Sequence, residues 1–288
     1  MNDRTMLVIG CRGQLGTDLC SVAAAAGYTV TGIDFPEIDL SDRRSVEDCI
    51  RRSDAAVAVN CSAFTAVDDC EKERTKAFAV NADGPGYLAQ ACENKRLRLI
   101  HISTDYIFDS AKKKPYIETD TPDPHTVYGK SKLAGEKNVA SSCGNHQIFR
   151  IAWLYGLHGK NFVHSIRSIA QKNAAGSGSI SVVNDQFGSP TSTVEVCRQI
   201  IAAQKPDFTG IFHATCEGTC TWFDFAKAIV GAARIPVTVR PCTTAEFPRP
   251  APRPKNSVLE NSRLKSAGVN CMLSWKDAFR NFLASENT

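Results

Sequence analysis

The sequence predicts an α/β protein built on a doubly wound parallel sheet. In the first half of the 288 residues, short apolar runs alternate with amphipathic stretches, the order expected of right-handed β-α-β units. The first apolar run ends in a glycine-rich turn, and polar residues follow several later runs. Ligands bind at the carboxyl ends of parallel strands, so these loops predict one shared ligand site.

The elements of the first half follow from the spacing of apolar residues. Strands are predicted at residues 6–9, 29–33, 56–60, 97–103 and 146–151. Helices are predicted at residues 15–26, 43–52, 70–92 and 126–140. Residues 1–155 are therefore expected to form one domain.

The pattern changes after about residue 155, where glycines, prolines and short strands interleave with helices. Helices are predicted at residues 161–172, 194–203, 223–233 and 275–283, with a strand near 180–183. The proline-rich run at 247–254 has the composition of an extended linker. We expect residues 156–288 to form mainly a smaller C-terminal α/β lobe, with some segments returning to the first domain.

A Gly-x-x-Gly-x-x-Gly pattern, made of Gly10, Gly13 and Gly16, follows the first strand and opens the first helix. Glycines allow a tight turn and a close backbone approach to phosphate, and the helix start supplies oriented N–H groups. Because a strand precedes the turn and a helix follows it, the pattern predicts a dinucleotide site in a Rossmann-type sheet.

Two residues near this turn point to different forms of the dinucleotide. Asp34 ends the second strand, where a carboxylate binds the ribose of NADH, although it also suits a turn before Pro36. Arg12, inside the glycine turn, suits the 2′-phosphate of NADPH. The sequence leaves both cofactors open.

The pair Tyr128 and Lys132 is the strongest chemical signal of the chain. Residues four apart lie on one face of a helix. A neighbouring ammonium stabilises a tyrosinate, so we expect Lys132 to lower the pKa of Tyr128 from its usual value of about 10. This spacing is also common on exposed helices. The glycine turn upstream favours a functional site over an exposed helix.

Composition excludes several other classes of protein. Apolar content of 43%, charged content of 22% and a net charge of +4 are ordinary for a globular enzyme and predict neither nucleic-acid nor membrane binding. No apolar run reaches the ~18 residues that span a bilayer, and we expect a cytoplasmic protein. The twelve cysteines contain no Cys-x-x-Cys pair, so reduced thiols are expected, and a zinc site is not.

Motifs along nearly the whole chain resemble those of the dTDP-4-dehydrorhamnose reductases, a family of the extended short-chain dehydrogenases. The most specific are Ser103-Thr104-Asp105-Tyr106 and Asn184-Asp185-Gln186. The other shared runs are residues 13–16, 60–68, 127–136, 149–155 and 253–257. The resemblance implies hydride transfer from NADPH or NADH to the C4 ketone of a dTDP-linked 6-deoxysugar, which gives dTDP-L-rhamnose.

The resemblance also implies roles for particular residues. Tyr128 would be the general acid, assisted by Lys132, and Thr104 would hydrogen-bond the ketone oxygen. The implied cofactor contacts are Gly10, Gly13, Gln14, Leu15, Gly16, Asp34, Asp39, Leu40, Cys61, Ser62, Ala63, Tyr128 and Lys132. The implied substrate contacts are Thr65, Val67, Thr104, Asp105, Tyr106, Trp153, Asn161 and Arg253. Val67 and Tyr106 also suit core positions, Trp153 a packed indole, and Arg253 a solvated side chain.

The sequence departs from the family at a metal site. Some members are dimers bridged by magnesium between carboxylates. Asp18 would serve as one ligand, but the second position is Val194, beside Glu195, and only Glu286 lies near the C-terminus. We therefore expect no metal, and a monomer or a weak homodimer.

Two alternatives remain at this level. One is a reductase or epimerase acting on another nucleotide-linked 4-keto-6-deoxysugar. The other is a non-catalytic subunit, because the regulatory subunit of methionine adenosyltransferase resembles the same family. The set of Thr104, Tyr128 and Lys132 favours catalysis.

Overall fold

The computed structural model describes residues 4–174, 176 and 178–286. Its strands are β1 (Thr5–Ile9), β2 (Thr29–Ile33), β3 (Val57–Asn60), β4 (Arg98–Thr104), β5 (His146–Ile151), β6 (Leu154–Tyr155), β7 (Ser179–Val183), β8 (Phe187–Gly188), β9 (Thr191–Ser192), β10 (Gly210–His213), β11 (Cys220–Thr221) and β12 (Thr238–Cys242). Its α-helices are α1 (Gln14–Ala25), α2 (Arg43–Arg52), α3 (Val67–Lys72), α4 (Arg74–Phe78), α5 (Gly84–Lys95), α6 (Val127–Ser142), α7 (Phe162–Ala174), α8 (Thr193–Ala202), α9 (Trp222–Ala232), α10 (Ser262–Ser266) and α11 (Trp275–Ser285).

The predicted doubly wound sheet is confirmed. Six parallel strands in the described residues lie in the order β10-β5-β4-β3-β1-β2. The central strands are apolar and buried on both faces, because helices cover each side of a parallel sheet. Ile9 pairs with Ile33 on one side and with Asn60 on the other, so the first three strands end at one edge.

The sixth strand of the sheet comes from the second half of the chain and was not predicted. β10 pairs in parallel with β5, with Phe212 beside Phe149. The Gln147 side chain donates to the backbone oxygens of Ala203 and Phe208, which fixes the segment that leads into β10. Four residues are too short a run for periodicity to separate strand from loop.

The single helix predicted at residues 70–92 is wrong. The structure has α3, α4, a π-helical turn (Ala79–Asp83) and α5 in its place. Buried Asn81 in the π turn bonds both backbone groups of Phe64 and the hydroxyl of Ser131. The break therefore places one amide between the loop after β3 and helix α6, as π turns at functional sites often do.

Helix α6 is joined to the sheet by a buried ion pair. The Arg150 guanidinium on β5 donates to both Glu136 carboxylate oxygens on α6, at 2.9 and 2.7 Å. Both side chains are almost wholly buried. Tyr128 and Lys132 precede Glu136 at four-residue intervals on the same face of α6, so the pair also fixes their position.

Helices of the C-terminal part pack around Tyr155 on β6 through aromatic side chains. Tyr155 contacts Phe225 on α9 and both Phe279 and Phe282 on α11. Small two-stranded ladders, β12 with β7, β11 with β8 and β6 with β9, connect this part internally. Within the described ranges, no helix combines the length and apolar character needed to cross a membrane.

We predict that Glu136→Gln destabilises the protein by about 3–5 kcal/mol, because Arg150 would keep a buried charge without its counter-ion. Urea unfolding monitored by circular dichroism measures the change. Glu47→Gln, which breaks the exposed pair with Arg43 on α2, is the matched control and should change the free energy of unfolding little. Equal effects of the two substitutions would contradict this account of the buried pair.

Candidate active site

A cavity of about 590 Å³ opens at the carboxyl edge of the parallel strands. This volume is within the range of roughly 300–1,000 Å³ that is usual for small-molecule sites. Most residues singled out from the sequence line it. They are Gly10, Gly13, Gln14, Leu15, Asp34, Asp39, Leu40, Cys61, Ser62, Ala63, Thr65, Val67, Thr104, Asp105, Tyr106, Tyr128, Lys132 and Trp153.

The glycine turn fits a dinucleotide phosphate. Gly10 has φ +83°, and a Cβ on it would lie 2.5 Å from the Ser62 hydroxyl. A Cβ on Gly16 would lie 2.0 Å from the Gly10 carbonyl oxygen. Helix α1 begins at Gln14, directly after Gly13, and the first N–H groups of a helix lack intrahelical partners. The cavity wall therefore offers backbone donors, and Gly10 and Gly13 add no side chain that would keep a diphosphate away from them.

The Asp34 side chain accepts backbone hydrogen bonds from the glycine turn and from the residue that follows Asp34. One carboxylate oxygen accepts from the backbone N–H of Arg12 at 2.9 Å and the other from that of Phe35 at 2.8 Å. The Arg12 guanidinium donates to the Phe35 carbonyl and to Glu37, and its side chain is 58% exposed. Asp34 lines the cavity, while the Arg12 guanidinium is held by Phe35 and Glu37.

The expected lowering of the Tyr128 pKa is wrong for this geometry. Burial is the largest influence and raises the pKa of Tyr128 above its ordinary value. The Thr104 hydroxyl opposes this by hydrogen bonding to the phenolate form, while the Asp105 charge adds to the rise. The phenol therefore keeps its proton at neutral pH.

Lys132 is fully buried, and its contacts are with the sheet. Its Nζ donates to the Ile102 carbonyl at 2.6 Å and lies 3.4 Å from Nε2 of His101. Burial lowers the pKa of Lys132 to about 8, while Glu136 opposes the change. Burial also lowers the pKa of His101 well below its ordinary value, so this imidazole is neutral.

Thr104 and Asp105 form the cavity wall at the end of β4. The Thr104 hydroxyl donates to Oδ1 of Asp105 at 3.0 Å. Oδ2 of Asp105 is buried and has no hydrogen-bond partner among the residues that the structure describes. Burial raises the pKa of Asp105 to about 7, against the opposing effects of its hydrogen bonds.

Trp153 is both a packed indole and a wall of the cavity. Its ring stacks on Trp222 with centroids 3.5 Å apart, and its Nε1–H donates to the Ser257 hydroxyl at 2.9 Å. Its backbone has φ +49°, a left-handed conformation that costs free energy for a side chain of this size. Stacking and the hydrogen bond hold the residue there.

Three predicted contact residues do not line the cavity. Gly16 lies behind the turn, in contact with Gly10. Asn161 donates to the Gln14 side chain at 3.0 Å and supports the turn from outside. Arg253 forms a two-pronged ion pair with Asp68, at 2.9 and 2.7 Å.

The structure adds lining residues to which the sequence analysis assigned no contact. They are Phe35, Ile38, Val80, Ile102, Ser103, Ile151, Ala152, Leu154 and Lys160. Several lie where β4 and β5 end, and this position could have identified them as cavity residues from the sequence. Val80 belongs to the unpredicted π turn and Lys160 to a loop, and no pattern distinguishes either.

The carboxylates considered for a metal have other partners. The Asp18 carboxylate accepts from the Thr193 hydroxyl and lies 3.5 Å from His158. Glu195 pairs with Arg198, and Glu286 pairs with Arg167. Within residues 4–174, 176 and 178–286, no group of three or more His, Cys, Asp or Glu residues is placed to hold a metal ion.

Comparisons with known proteins agree with the motifs. The model of the RmlD substrate binding domain matches residues 4–288. A dTDP-4-dehydrorhamnose reductase of Mycobacterium tuberculosis is 38% identical over 97% of this chain and 92% of its own length. A dTDP-4-keto-6-deoxy-D-glucose reductase of Streptomyces niveus is 35% identical over 96% of both. The structure of a dTDP-4-dehydrorhamnose reductase from Bacillus anthracis in complex with NADP is 33% identical, with a TM-score of 0.94, over 98% of this chain and 99% of that one.

We predict that Gly16→Ala weakens binding of reduced nicotinamide dinucleotides on the order of tenfold or more, because the new methyl group must displace the Gly10 carbonyl. Fluorescence titration of the cofactor measures the Kd. Gly231→Ala, on α9 with no atom within 4 Å of the added Cβ, is the matched control and should leave the Kd unchanged. Unaltered binding by Gly16→Ala would contradict the phosphate role of the turn.

Proposed function

The chain belongs to the RmlD substrate binding domain family, and on this premise we propose that it is an NAD(P)H-dependent reductase of a dTDP-linked 4-keto-6-deoxysugar. The observation that carries the proposal is one cavity lined by the glycine turn together with Thr104, Tyr128 and Lys132. In this proposal the glycine turn binds the dinucleotide and Tyr128 donates the proton at the same sheet edge, as reduction of a ketone requires.

The cofactor supplies the hydride when it is bound, and the protein supplies the proton and the geometry. Negative charge develops on the ketone oxygen during reduction. Tyr128 donates its phenolic proton to that oxygen, and the Thr104 hydroxyl stabilises the charge by a hydrogen bond. A general acid must carry its proton before the reaction, so the raised pKa of Tyr128 suits a reduction.

Lys132 supplies positive charge beside the reacting groups. With a pKa of about 8 it is mainly protonated at pH 7. Its contact with the Ile102 carbonyl fixes the ammonium at the end of β4. From there it stabilises the phenolate that remains on Tyr128 after proton transfer, and it binds the cofactor ribose in this proposal.

For the sugar, we propose dTDP-4-dehydro-L-rhamnose as substrate and dTDP-L-rhamnose as product. The M. tuberculosis and B. anthracis relatives carry the name of that activity, and the first has the higher identity of the relatives described above. The S. niveus relative is named for another 4-keto-6-deoxysugar, which keeps that substrate as the second candidate.

Purified protein incubated with each of the two dTDP-ketosugars and NADPH or NADH tests the substrate, with loss of reduced-nicotinamide absorbance as the measurement. We expect the higher kcat/KM with the rhamnose precursor. Faster reduction of the D-glucose-derived ketosugar would transfer the assignment to the second candidate. The absence of turnover with both sugars would contradict a reductase of this class.

We predict that Tyr128→Phe lowers kcat by about 10²–10⁴-fold, the usual contribution of a positioned acid. The cofactor Kd should stay near the unmodified value, because the ring and its packing against Tyr106 are kept. Steady-state kinetics and cofactor titration measure the two effects separately. Near-normal turnover would remove Tyr128 as the acid.

We further propose that the protein accepts both cofactors, with Asp34 recognising the ribose of NADH and Arg12 the 2′-phosphate of NADPH. Arg12→Ala should weaken NADPH by about tenfold or more, the value of a charged hydrogen bond, and NADH much less. Glu37→Gln, which releases the guanidinium from its ion pair, should favour NADPH. Titration with both cofactors checks this, and equal weakening of the two by Arg12→Ala would contradict the role.

A further inference from the structure

A chain of buried polar side chains runs behind Lys132, and the proposed function uses only this last member. Asn60 ends β3 and lies beside His101 on β4, while Lys132 lies on α6. Asn60 and His101 are fully buried, and Lys132 is 2% exposed. The Asn60 amide nitrogen lies 3.2 Å from Nδ1 of His101, and Nε2 of the same ring lies 3.4 Å from Nζ of Lys132. The imidazole therefore bridges an amide and an amine.

The backbone fixes the direction of the first hydrogen bond in this chain. The Ser62 N–H donates to the Asn60 amide oxygen at 3.1 Å, so the amide nitrogen, which only donates, faces His101. A neutral imidazole has one donor nitrogen and one acceptor nitrogen, and burial keeps His101 neutral. Nδ1 is therefore the acceptor, and the ring proton lies on Nε2.

A proton on Nε2 points at Lys132. An ammonium group has three donors and no acceptor, whereas the neutral amine has a lone pair that accepts. Nζ also donates to the Ile102 carbonyl at 2.6 Å, which both forms allow. With the amine, every contact from Ser62 to Ile102 pairs a donor with an acceptor. With the ammonium, either Nε2–H meets a second donor, or the ring proton moves to Nδ1 and meets the Asn60 amide.

We propose that His101 is a positioning residue of this site. Held by Asn60 as a donor at Nε2, it favours the amine form of Lys132 and thereby sets the upper pH limit of turnover. The part that concerns turnover rests on the proposed function, in which the Lys132 ammonium stabilises the Tyr128 phenolate. The part that concerns the ring proton and the Lys132 pKa does not.

Other charged and titratable groups face Lys132 from the elements around it. Glu136, one turn further along α6, opposes the lowering of the Lys132 pKa, but its carboxylate is paired with Arg150 on β5. Cys61, in the loop after β3, has a pKa raised by burial, so its thiol is neutral. Tyr128, one turn earlier on α6, also keeps its proton. The His101 ring is the neighbour that meets Nζ directly.

Burial alone gives a different expectation from this proposal. Burial lowers the pKa of Lys132 to about 8, and it would do so whichever polar side chain stood at position 101. If His101 only filled space, replacing it by a side chain that accepts from the ammonium would leave the Lys132 pKa unchanged. If His101 acts as a donor, the same replacement raises that pKa.

The first experiment determines the tautomer of His101 by nitrogen NMR of the full chain labelled at its six histidines. We expect the proton on Nε2 at about pH 9, where Lys132 is mainly the amine. The signal is assigned by its loss in His101→Gln. A proton on Nδ1 of His101 at this pH would overturn the proposal.

His213 is an internal reference for this measurement. Its Nδ1 lies 3.1 Å from the carbonyl oxygens of Tyr116 and Glu260, and its Nε2 lies 3.5 Å from the Arg150 guanidinium. Two acceptors at Nδ1 and a donor at Nε2 place the ring proton on Nδ1. Burial lowers its pKa to about 3, so this ring is also neutral at about pH 9. The two buried imidazoles should therefore show opposite tautomers.

The second experiment follows the same spectra from about pH 6 to pH 10. His101 stays neutral over this range, so a change in its nitrogen shifts reports the titration of Lys132. Asn60→Asp puts an acceptor in place of the amide donor. It should move the ring proton to Nδ1 and raise the midpoint by roughly one pH unit, the size of one net hydrogen bond. An unchanged tautomer and midpoint in Asn60→Asp would overturn the proposal.

The third experiment is the pH profile of kcat with the better ketosugar and saturating cofactor. In the unmodified protein kcat should fall above about pH 8, as Lys132 loses its proton. In His101→Gln, whose carbonyl can accept from the ammonium, the fall should move up by roughly one pH unit. His146→Gln, at the start of β5 beside the Cys143 backbone, is the matched control and should leave the profile unchanged.

A lower kcat in His101→Gln with the fall still near pH 8 would show a packing role only and would overturn the proposal. If neither ketosugar is reduced, the proposed function fails. The tautomer of His101 and the midpoint in Asn60→Asp then still decide whether the ring controls the protonation of Lys132.

Discussion

The ion pair between Glu136 and Arg150 is the constraint on which the candidate site depends. It joins helix α6 to strand β5 inside the protein, where a charge without a counter-ion is costly. Lys132 and Tyr128 stand about one and two turns before Glu136, respectively, on the same face, so their place above the strand ends follows from this connection. Asn81 adds a second connection from the π turn, through the hydroxyl of Ser131.

Burial determines the protonation of the site more than the neighbouring charges do. It raises the pKa of Tyr128 and Asp105 and lowers that of Lys132 and His101, and in each case it is the largest cause. All four shifts favour the neutral form of the group, as transfer out of water requires. Tyr128 therefore keeps its proton at neutral pH, which is the state needed for adding hydrogen to a ketone.

Periodicity and turn chemistry predict most of this fold, and the failures have physical causes. The helix Arg43–Arg52 and the strands Thr29–Ile33 and His146–Ile151 match their predicted bounds, because apolar spacing and capping act locally. β10 was missed because its pairing with β5 is made across the fold. The run at 70–92 was read as one helix because the contacts of Asn81 that stabilise the π turn are also distant in sequence.

In the candidate site, too, the sequence predicted what depends on local pattern and not what depends on contacts across the fold. Motifs identified many of the residues that line the cavity, since ligands of a parallel sheet gather at one edge, but they did not show what each side chain contacts. Arg253 and Asn161 were predicted to contact the substrate, and the structure shows the partners that hold them, Asp68 and Gln14. The Tyr128 pKa was expected to fall because sequence spacing shows the nearby lysine but not the loss of water around the phenol.

The position of β10 also limits how this chain can be divided. A fragment that stops at residue 155 would keep β5 and lose the strand that covers its outer edge. The exposed row of backbone donors and acceptors would then offer a template for pairing with other chains. Exchange of the C-terminal part between relatives, by recombination or by engineering, therefore has to bring along a segment equivalent to residues 210–213, or the shared sheet is left incomplete.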